Sequence, residues 1–268
     1  MEIEIDLEKT LEQNAAQYFD KSKKARKKID GAKKAIVETE KKLAIARKKA
    51  EVREKVLLKK RKRDWFEKFH WFYTGNGFLV VGGRDAHSNE YIVKKHMNEK
   101  DIYFHAEIFG APHCVLKTEG KKPGKEDLIE AAVFAGTFSK AWQEGLAAVD
   151  VYSVSPEQVS KKAPSGEALG TGAFMIYGEK NWFKKSPLSI AIGIEKKEST
   201  ARVISGPASA VKVHAVFFVE LLQGKIEKNE TAKKLKKLFD EKLGKNEFTI
   251  DDFVSMIPTG RFEIFLKK

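Results

Sequence analysis

The feature that most constrains the fold is a heptad pattern over residues 11–57, where small or apolar side chains recur in alternating steps of four and three. This period is typical of a coiled-coil helix. The seam is rich in alanine and short polar residues, with few large side chains such as Leu11, Leu43 and Leu57. Such a seam buries little apolar area, so the helix needs a partner to be stable. The pattern predicts a long helical arm over residues 1–63, followed by a globular domain.

Most of the net positive charge of the chain is concentrated at the end of this arm. The net charge is +13, and residues 41–63 carry twelve Lys and Arg side chains against two Glu. A basic stripe of this kind favours contacts with phosphates and makes affinity depend steeply on salt. The alternative is the solvated face of a coiled coil, which is usual for Lys-rich helices. The charge therefore makes nucleic acid the first partner to test.

The globular part begins with an apparent β-hairpin. Phe69–Tyr73 and Phe78–Val81 are rich in residues that favour strands, and they flank the turn sequence Thr74-Gly75-Asn76-Gly77. The second strand leads into Gly82-Gly83-Arg84-Asp85, where two residues without Cβ atoms allow a sharp turn or a close approach. Asp85 can cap a helix over Ala86–Met97. The sequence therefore predicts strand, turn, strand and capped helix in this order.

A third strand, Asp101–Ala106, follows that helix. Alternation along it places Ile102, Phe104 and Ala106 on one face of the sheet and Tyr103 and His105 on the other. A purely structural hairpin does not need Gly-Gly-Arg-Asp, Asn89 and His105 together. We therefore expect this region to carry function.

The remaining segments complete the predicted fold. The predicted helices are Glu126–Glu144, Glu230–Leu243 and Thr249–Met256, and the predicted strands are Ala148–Val154, Phe174–Tyr177, Leu188–Glu195 and Val213–Leu222. Clustered strands indicate an α+β fold: a long N-terminal coiled-coil helical arm, then a mixed, largely antiparallel sheet domain with flanking helices. The expected divisions are a basic arm at 1–63, the sheet domain at 64–222, and a helical and strand extension of that domain at 223–268.

Catalysis has weak support in the sequence. His105 with Asp85 or Asp101 could act as an acid–base pair, but no motif fixes a nucleophile. The histidine spacings match no common zinc pattern, and no P-loop occurs, so we expect no metal, no cofactor and no enzymatic activity. Cys114, the single cysteine, is expected to be a buried, inert thiol in a reducing cytoplasm. No apolar run approaches the ~20 residues that span a bilayer, so no membrane partner is expected.

A second loop, Val159–Glu167, combines a Pro-Gly turn with hydroxyl groups and two lysines. Backbone amides and side chains of this kind can receive a phosphate or a sugar. An ordinary turn with solvated lysines is the alternative, and the loop alone does not decide between them.

Several motifs in these segments resemble the R domain of the NFACT family, which includes the NEMF, RqcH, FbpA and Caliban proteins. They are WFxxxxGFLVVGGRDAxxNExIVKK, DIYFHAExxGAPxxVLK, EAAxFAxxFSxAW, VSPEQVSKKAPSGE and TGAFMIYGEKNWF, in that order over about residues 65–220. Residues 5–63 resemble the coiled-coil arm that precedes this domain, and the ending SGPASAVKVHAVFFVEL is most similar to the archaeal branch. The family carries an N-terminal domain and a helix-hairpin-helix segment ahead of the arm. Both are missing here, so we expect a fragment rather than a short paralogue.

The resemblance implies a role in ribosome-associated quality control. Such proteins bind large ribosomal subunits obstructed by peptidyl-tRNA and hold tRNA while residues are added to the stalled chain. The implied partners are rRNA of the large subunit and tRNA, with a second coiled-coil segment or another copy of the chain pairing with the arm. The implied RNA-binding residues are Lys59, Lys60, Arg61, Lys62, Arg63, Arg84, Asp85, Asn89, Lys94, Lys95, Tyr103, His105, Lys161, Lys162 and Ser165. The basic residues would contact phosphates, whereas Arg84, Asn89, Tyr103 and His105 would contact bases or 2′-hydroxyls. The alternatives are a coiled-coil scaffold for a protein partner and, with less support, an enzyme acting on nucleic acid.

Overall fold

The chain divides into two units, Met1–Arg61 and Lys62–Lys268, in the computed structural model. The structure describes residues 4–59, 63–163, 169–197, 200–244 and 248–266. The helices are α1 (Leu11–Lys59), α2 (Ala86–Lys95), α3 (Lys125–Thr137), α4 (Lys140–Gln143), α5 (Ala208–His214), α6 (Lys228–Leu243) and α7 (Ile250–Val254). The strands are β1 (His70–Tyr73), β2 (Leu79–Gly82), β3 (Ile102–Ala106), β4 (Cys114–Lys117), β5 (Ala148–Val154), β6 (Val159–Ser160), β7 (Met175–Ile176), β8 (Asn181–Pro187), β9 (Ile190–Lys197), β10 (Thr200–Gly206), β11 (Phe217–Glu227) and β12 (Arg261–Phe265).

The first unit is dominated by α1, a single helix of 49 residues. It begins with a reciprocal cap, because the Gln13 amide donates to the Thr10 hydroxyl and the Thr10 amide donates to the Gln13 side chain. Three apolar side chains of the predicted seam, Leu11, Ile36 and Leu43, are exposed. The helical arm is thus confirmed, whereas its pairing in a coiled coil stays a prediction.

The second unit is built on a six-stranded antiparallel sheet in the order β1-β2-β4-β3-β5-β8. On one face, Phe104 and Leu116 pack against Ala131 and Phe134 of α3. On the opposite face, Tyr103 packs with α2 and with the short β6–β7 hairpin. The two faces of β3 therefore separate as its alternating sequence predicts.

A second antiparallel sheet, in the order β10-β9-β11-β12, carries the C-terminal core. Ile192 and Phe262 of this sheet pack against Phe239 of α6 and Phe253 of α7. The sequence expectation placed a division at position 222, which falls inside β11. Residues on both sides of this position thus belong to one continuous strand.

The structure corrects two of the predicted elements. The helix expected over Glu126–Glu144 breaks into α3 and α4, because the Ser139 hydroxyl accepts from the Ala141 amide (3.1 Å) and donates to the Gly136 carbonyl (2.6 Å). The strand expected from Val213 begins later, at Phe217, because the preceding residues belong to α5. By contrast, the hairpin, the Asp85 cap and the Thr249 cap are confirmed.

Candidate nucleic-acid interface

An open cleft of about 770 Å³ lies beside the N-terminus of α2. Five residues that the sequence singles out line it: Arg84, Asp85, Asn89, Tyr103 and His105. They come from the turn after β2, from α2 and from β3. The fold thus brings five of the fifteen predicted RNA-binding residues into one cleft.

The wall beside α2 depends on a close approach of two backbones at Gly83. A Cβ atom at this position would lie 2.0 Å from Asn89 Oδ1 and 2.7 Å from the Asn89 nitrogen. The Asn89 side chain accepts from the His113 amide (3.0 Å), and the Gly83 amide donates to the His113 carbonyl (3.2 Å). Glycine is therefore required where the β2–α2 turn meets the start of β4.

Asp85 shapes the wall as a helix cap. Its carboxylate accepts from the Ser88 amide (2.8 Å), and the Ser88 hydroxyl accepts from the Asp85 amide (2.9 Å). The hydrogen bonds from Ser88 lower the pKa of Asp85. The cap explains why an aspartate stands at position 85 without any contact to RNA. The predicted role of Asp85 at an RNA interface stays untested.

A row of aromatic and imidazole rings forms a second part of the cleft. The Tyr103 hydroxyl is hydrogen-bonded to His113 Nδ1 (2.6 Å), and the His105 ring lies 4.9 Å from the His113 ring. Burial lowers the pKa of His105 to about 4. Burial, with the neighbouring His105, lowers the pKa of His113 to about 3. Both imidazoles are therefore neutral near pH 7 and offer hydrogen-bonding and stacking groups rather than charge.

Another part of the cleft is cationic. The Arg84 guanidinium donates to the carbonyls of Phe69 (3.0 Å) and Ser255 (3.2 Å). Partial burial and then the charge of Arg84 lower the pKa of Lys228, which begins α6. Two cations that repel each other at the rim of a cleft make it attractive to an anion such as a phosphate.

The sequence reasoning missed several residues of this cleft. His113 directly precedes β4, and Lys140 and Lys228 lie far away along the chain. The two lysines reach the cleft only through the packing of α4 and α6. No local pattern marked the two lysines, whereas the HAExxGAPH spacing could have linked His113 to His105.

Lys161 ties the β6–β7 hairpin to Glu90 of α2, and Lys94 pairs with the same carboxylate within α2. The Lys161 ammonium lies 2.8 Å from Glu90 Oε2 and donates to the carbonyls of Gly170 (2.8 Å) and Ala173 (3.0 Å). Lys94 lies 2.6 Å from Glu90 Oε1. The bonds from Lys161 and Lys94 lower the pKa of Glu90 to about 2.

The other predicted contacts lie outside the cleft lining. Lys95, Lys162 and Arg63 are exposed. Lys60, Arg61, Lys62 and Ser165 lie outside the described residues, as does the side chain of Lys59. These predictions stay untested.

Further observations bear on other kinds of function. Cys114 is completely buried, and burial raises the pKa of its thiol well above its usual range, so a thiolate nucleophile is disfavoured. Within the described ranges, no group of three or more His, Cys, Asp or Glu side chains is arranged to hold a metal ion. No helix in the described part of the chain is both long and apolar enough to cross a membrane.

Comparison with known proteins identifies the domain. Residues 68–178 match the family described as NFACT protein RNA binding domain. The archaeal Rqc2 homolog aRqcH of Methanocaldococcus jannaschii is 39% identical over 210 residues, which cover 78% of this chain and 30% of that protein. The ribosome quality control complex subunit NEMF of Homo sapiens is 40% identical over 180 residues, covering 65% of this chain and 16% of that protein. The NEMF homolog of Drosophila melanogaster is 38% identical over 197 residues, covering 72% of this chain and 20% of that protein.

The fold and the matched segment define a domain of the α+β class that matches a family of RNA-binding domains. The chain belongs to the NFACT family, and its relatives are ribosome quality control proteins. It spans less than a third of the length of these three relatives.

Proposed function

We propose that this chain is the RNA-binding module of a ribosome-associated quality control factor. It would bind obstructed large ribosomal subunits and tRNA, and so support the C-terminal tailing of stalled chains. The kinship with ribosome quality control subunits supports this role. The ribosome would perform the chemistry, and the module would position RNA.

The observation that carries the proposal is the composition of the cleft. Arg84 and Lys228 provide positive charge, whereas His105 and Asn89 provide a neutral ring and a neutral amide. Tyr103 is 1% exposed and its hydroxyl is bonded to His113, so it positions the imidazoles rather than receiving a base itself. A nucleotide needs both kinds of contact, because its phosphate requires cations and its unpaired base requires rings and amides. The cleft therefore fits RNA better than a purely anionic or purely apolar ligand.

A second candidate function follows from the arm. Leu11, Ile36 and Leu43 are exposed along α1, and exposed apolar side chains at heptad spacing are what a partner helix covers. A scaffold of this kind would bind protein independently of salt. RNA binding and helix pairing on separate units are compatible with each other.

Co-sedimentation with large subunits and with tRNA over a range of salt concentrations tests the RNA proposal. Lys228→Glu should weaken binding and make the dependence on log salt shallower by about one unit. Lys237→Glu is the matched control, because Lys237 is an exposed lysine of the same helix and pairs only loosely with Glu241 (4.0 Å). Equal losses of affinity in Lys228→Glu and Lys237→Glu would indicate non-specific attraction. Absence of binding by the folded wild type at low salt would refute the proposal.

A further inference from the structure

Three aromatic residues form a row across neighbouring strands of the six-stranded sheet. His105 of β3 lies directly opposite Tyr152 of β5, and Tyr152 lies directly opposite Trp182 of β8. Residues opposite each other project from the same face of a sheet. The ring centroids are 5.8 Å apart for the first pair and 5.5 Å for the second. The row thus leads from the cleft, which His105 and Tyr152 line, to the sheet edge.

The outer end of this row is an exposed ring rather than part of the core. Along β8, Phe183 points towards Phe104 in the core beside α3, with ring centroids 5.8 Å apart. Trp182 points to the other face and is 41% exposed. Core packing therefore explains why a large aromatic residue stands at Phe183, but it does not explain the one at Trp182.

Two lysines accompany the exposed end of the row. Lys184 Nζ lies 3.8 Å from the centroid of the Trp182 ring, and Lys180 Nζ lies 4.0 Å from that of Tyr152. Each lysine has a surface carboxylate nearby, Asp150 at 2.9 Å and Glu107 at 3.7 Å. Surface ion pairs contribute little free energy, so a phosphate can replace these carboxylates. Flexible cations beside an accessible aromatic ring are typical of sites for single-stranded nucleic acid.

The edge of the sheet disfavours a peptide as the ligand. Between Val149 and Val151, the register of β5 with β8 shifts, and Lys185 adopts a positive φ of 50°. The Lys185 amide donates to the Asp150 carboxylate of β5 (2.8 Å) at this irregularity. A bulge at an edge is a common device that prevents strand addition.

We propose that an unpaired RNA strand leaves the cleft across β5 and β8 and stacks one base on Trp182, with Lys180 and Lys184 against the adjacent phosphates. This inference rests on the proposed RNA-binding function and names single-stranded RNA as the ligand class of the site. Trp182 is the specificity element, because a base held inside a duplex cannot offer its face to the ring.

The test uses the full chain with an unstructured oligouridine and with duplex RNA of the same length. Trp182→Ala should weaken binding of the single strand on the order of tenfold, whereas Trp182→Phe should retain most of the affinity because a ring remains. Duplex binding should be unchanged in both variants. Trp65→Ala is the matched control, because Trp65 is 42% exposed and stacks on His96 away from the row. Tryptophan emission should be quenched by oligouridine in the wild type, and this change should be lost in Trp182→Phe.

The outcomes separate this inference from the proposed function. The stacking site would be overturned, with RNA binding left intact, if Trp65→Ala and Trp182→Ala lost equal affinity for the single strand. It would also be overturned if Trp182→Ala lost equal affinity for duplex and single-stranded RNA. Quenching that persists in Trp182→Phe would overturn it as well, even if Trp182→Ala did not fold. Failure of the folded wild type to bind any RNA would instead overturn the proposed function.

Discussion

The Tyr103 hydroxyl and His113 Nδ1 lie 2.6 Å apart in the wall of the cleft, and this hydrogen bond joins β3 to the start of β4. The His105 ring stacks beside Tyr103, in nearly the same plane orientation. Both imidazoles are withdrawn from water, which disfavours their charged forms. This part of the cleft wall is therefore built from neutral groups, and its burial makes it sensitive to acid.

The free energy of unfolding should decrease as the pH is lowered from about 6.5 towards 4. Folded His105 and His113 have pKa values of about 4 and about 3, below that of an unfolded histidine. The unfolded chain therefore binds more protons in this range, and each histidine adds a slope of up to ~1.4 kcal/mol per pH unit. Urea unfolding at a series of pH values across this range measures the slope. His113→Asn should flatten the slope, whereas His87→Asn, at an exposed position, should leave it unchanged. Equal slopes in the wild type and His113→Asn would contradict the assignment.

Gly83→Ala should destabilise the domain by roughly 1–3 kcal/mol, because the added methyl group overlaps the side chain and backbone of Asn89. The displacement of Asn89 should also weaken RNA binding, since it removes the acceptor of the His113 amide. Denaturant unfolding and oligonucleotide titration provide the two readouts. Gly170→Ala is the control, because a Cβ atom there meets nothing within 4 Å. An unfolding midpoint for Gly83→Ala equal to that of the control would show that the turn can relax.

The parts of this site that the sequence predicted are those specified by neighbours in the chain. The β2–α2 turn is fixed by two glycines and by the Asp85 cap, so its geometry can be inferred from adjacent residues. The cationic wall depends on Lys228, which reaches Arg84 only when the second sheet and α6 have formed. Sequence reasoning cannot place such a pair, because the contact is created by tertiary packing.

Strand β8 shows a second limit of the sequence reasoning. It contains two lysines and a proline, and it lies at an edge where most of its side chains are exposed. Strand propensity reflects a half-buried, pleated surface, and an edge strand need not show it. The strand that carries Trp182 was therefore overlooked, although its motif belonged to the family resemblance.

Arg202→Met should destabilise the second unit by about 3 kcal/mol. Arg202 Nε lies 2.5 Å from the buried Glu195 carboxylate, and its guanidinium stacks 4.6 Å from the Trp71 ring centroid. Removal of one partner of a buried ion pair deprives the other of a charge-assisted hydrogen bond, and the cost is large because the pair is withdrawn from water. Arg261→Met is the matched control, because its pair with Glu227 is largely exposed and should contribute less than about 1 kcal/mol. Urea unfolding midpoints, compared at constant m-value, give the loss of stability in each variant. Similar losses of stability in Arg202→Met and Arg261→Met would refute the prediction.

Glu90→Gln should detach the β6–β7 hairpin from α2 without unfolding the domain. The Glu90 carboxylate contacts Lys161, Lys94 and the Gly172 amide (2.8 Å), so its neutralisation weakens three bonds at once. The hairpin carries Phe174, whose ring lies 5.4 Å from His113 in the cleft. Backbone amides of residues 169–177 should then exchange hydrogen faster, while those of β3 and β5 keep their protection.

Glu99→Gln, at an exposed position after α2, serves as the control. If exchange at 169–177 matched the control, the hairpin would be held by its apolar contacts alone. Faster exchange together with weaker RNA binding would show that RNA binding depends on the position of the hairpin.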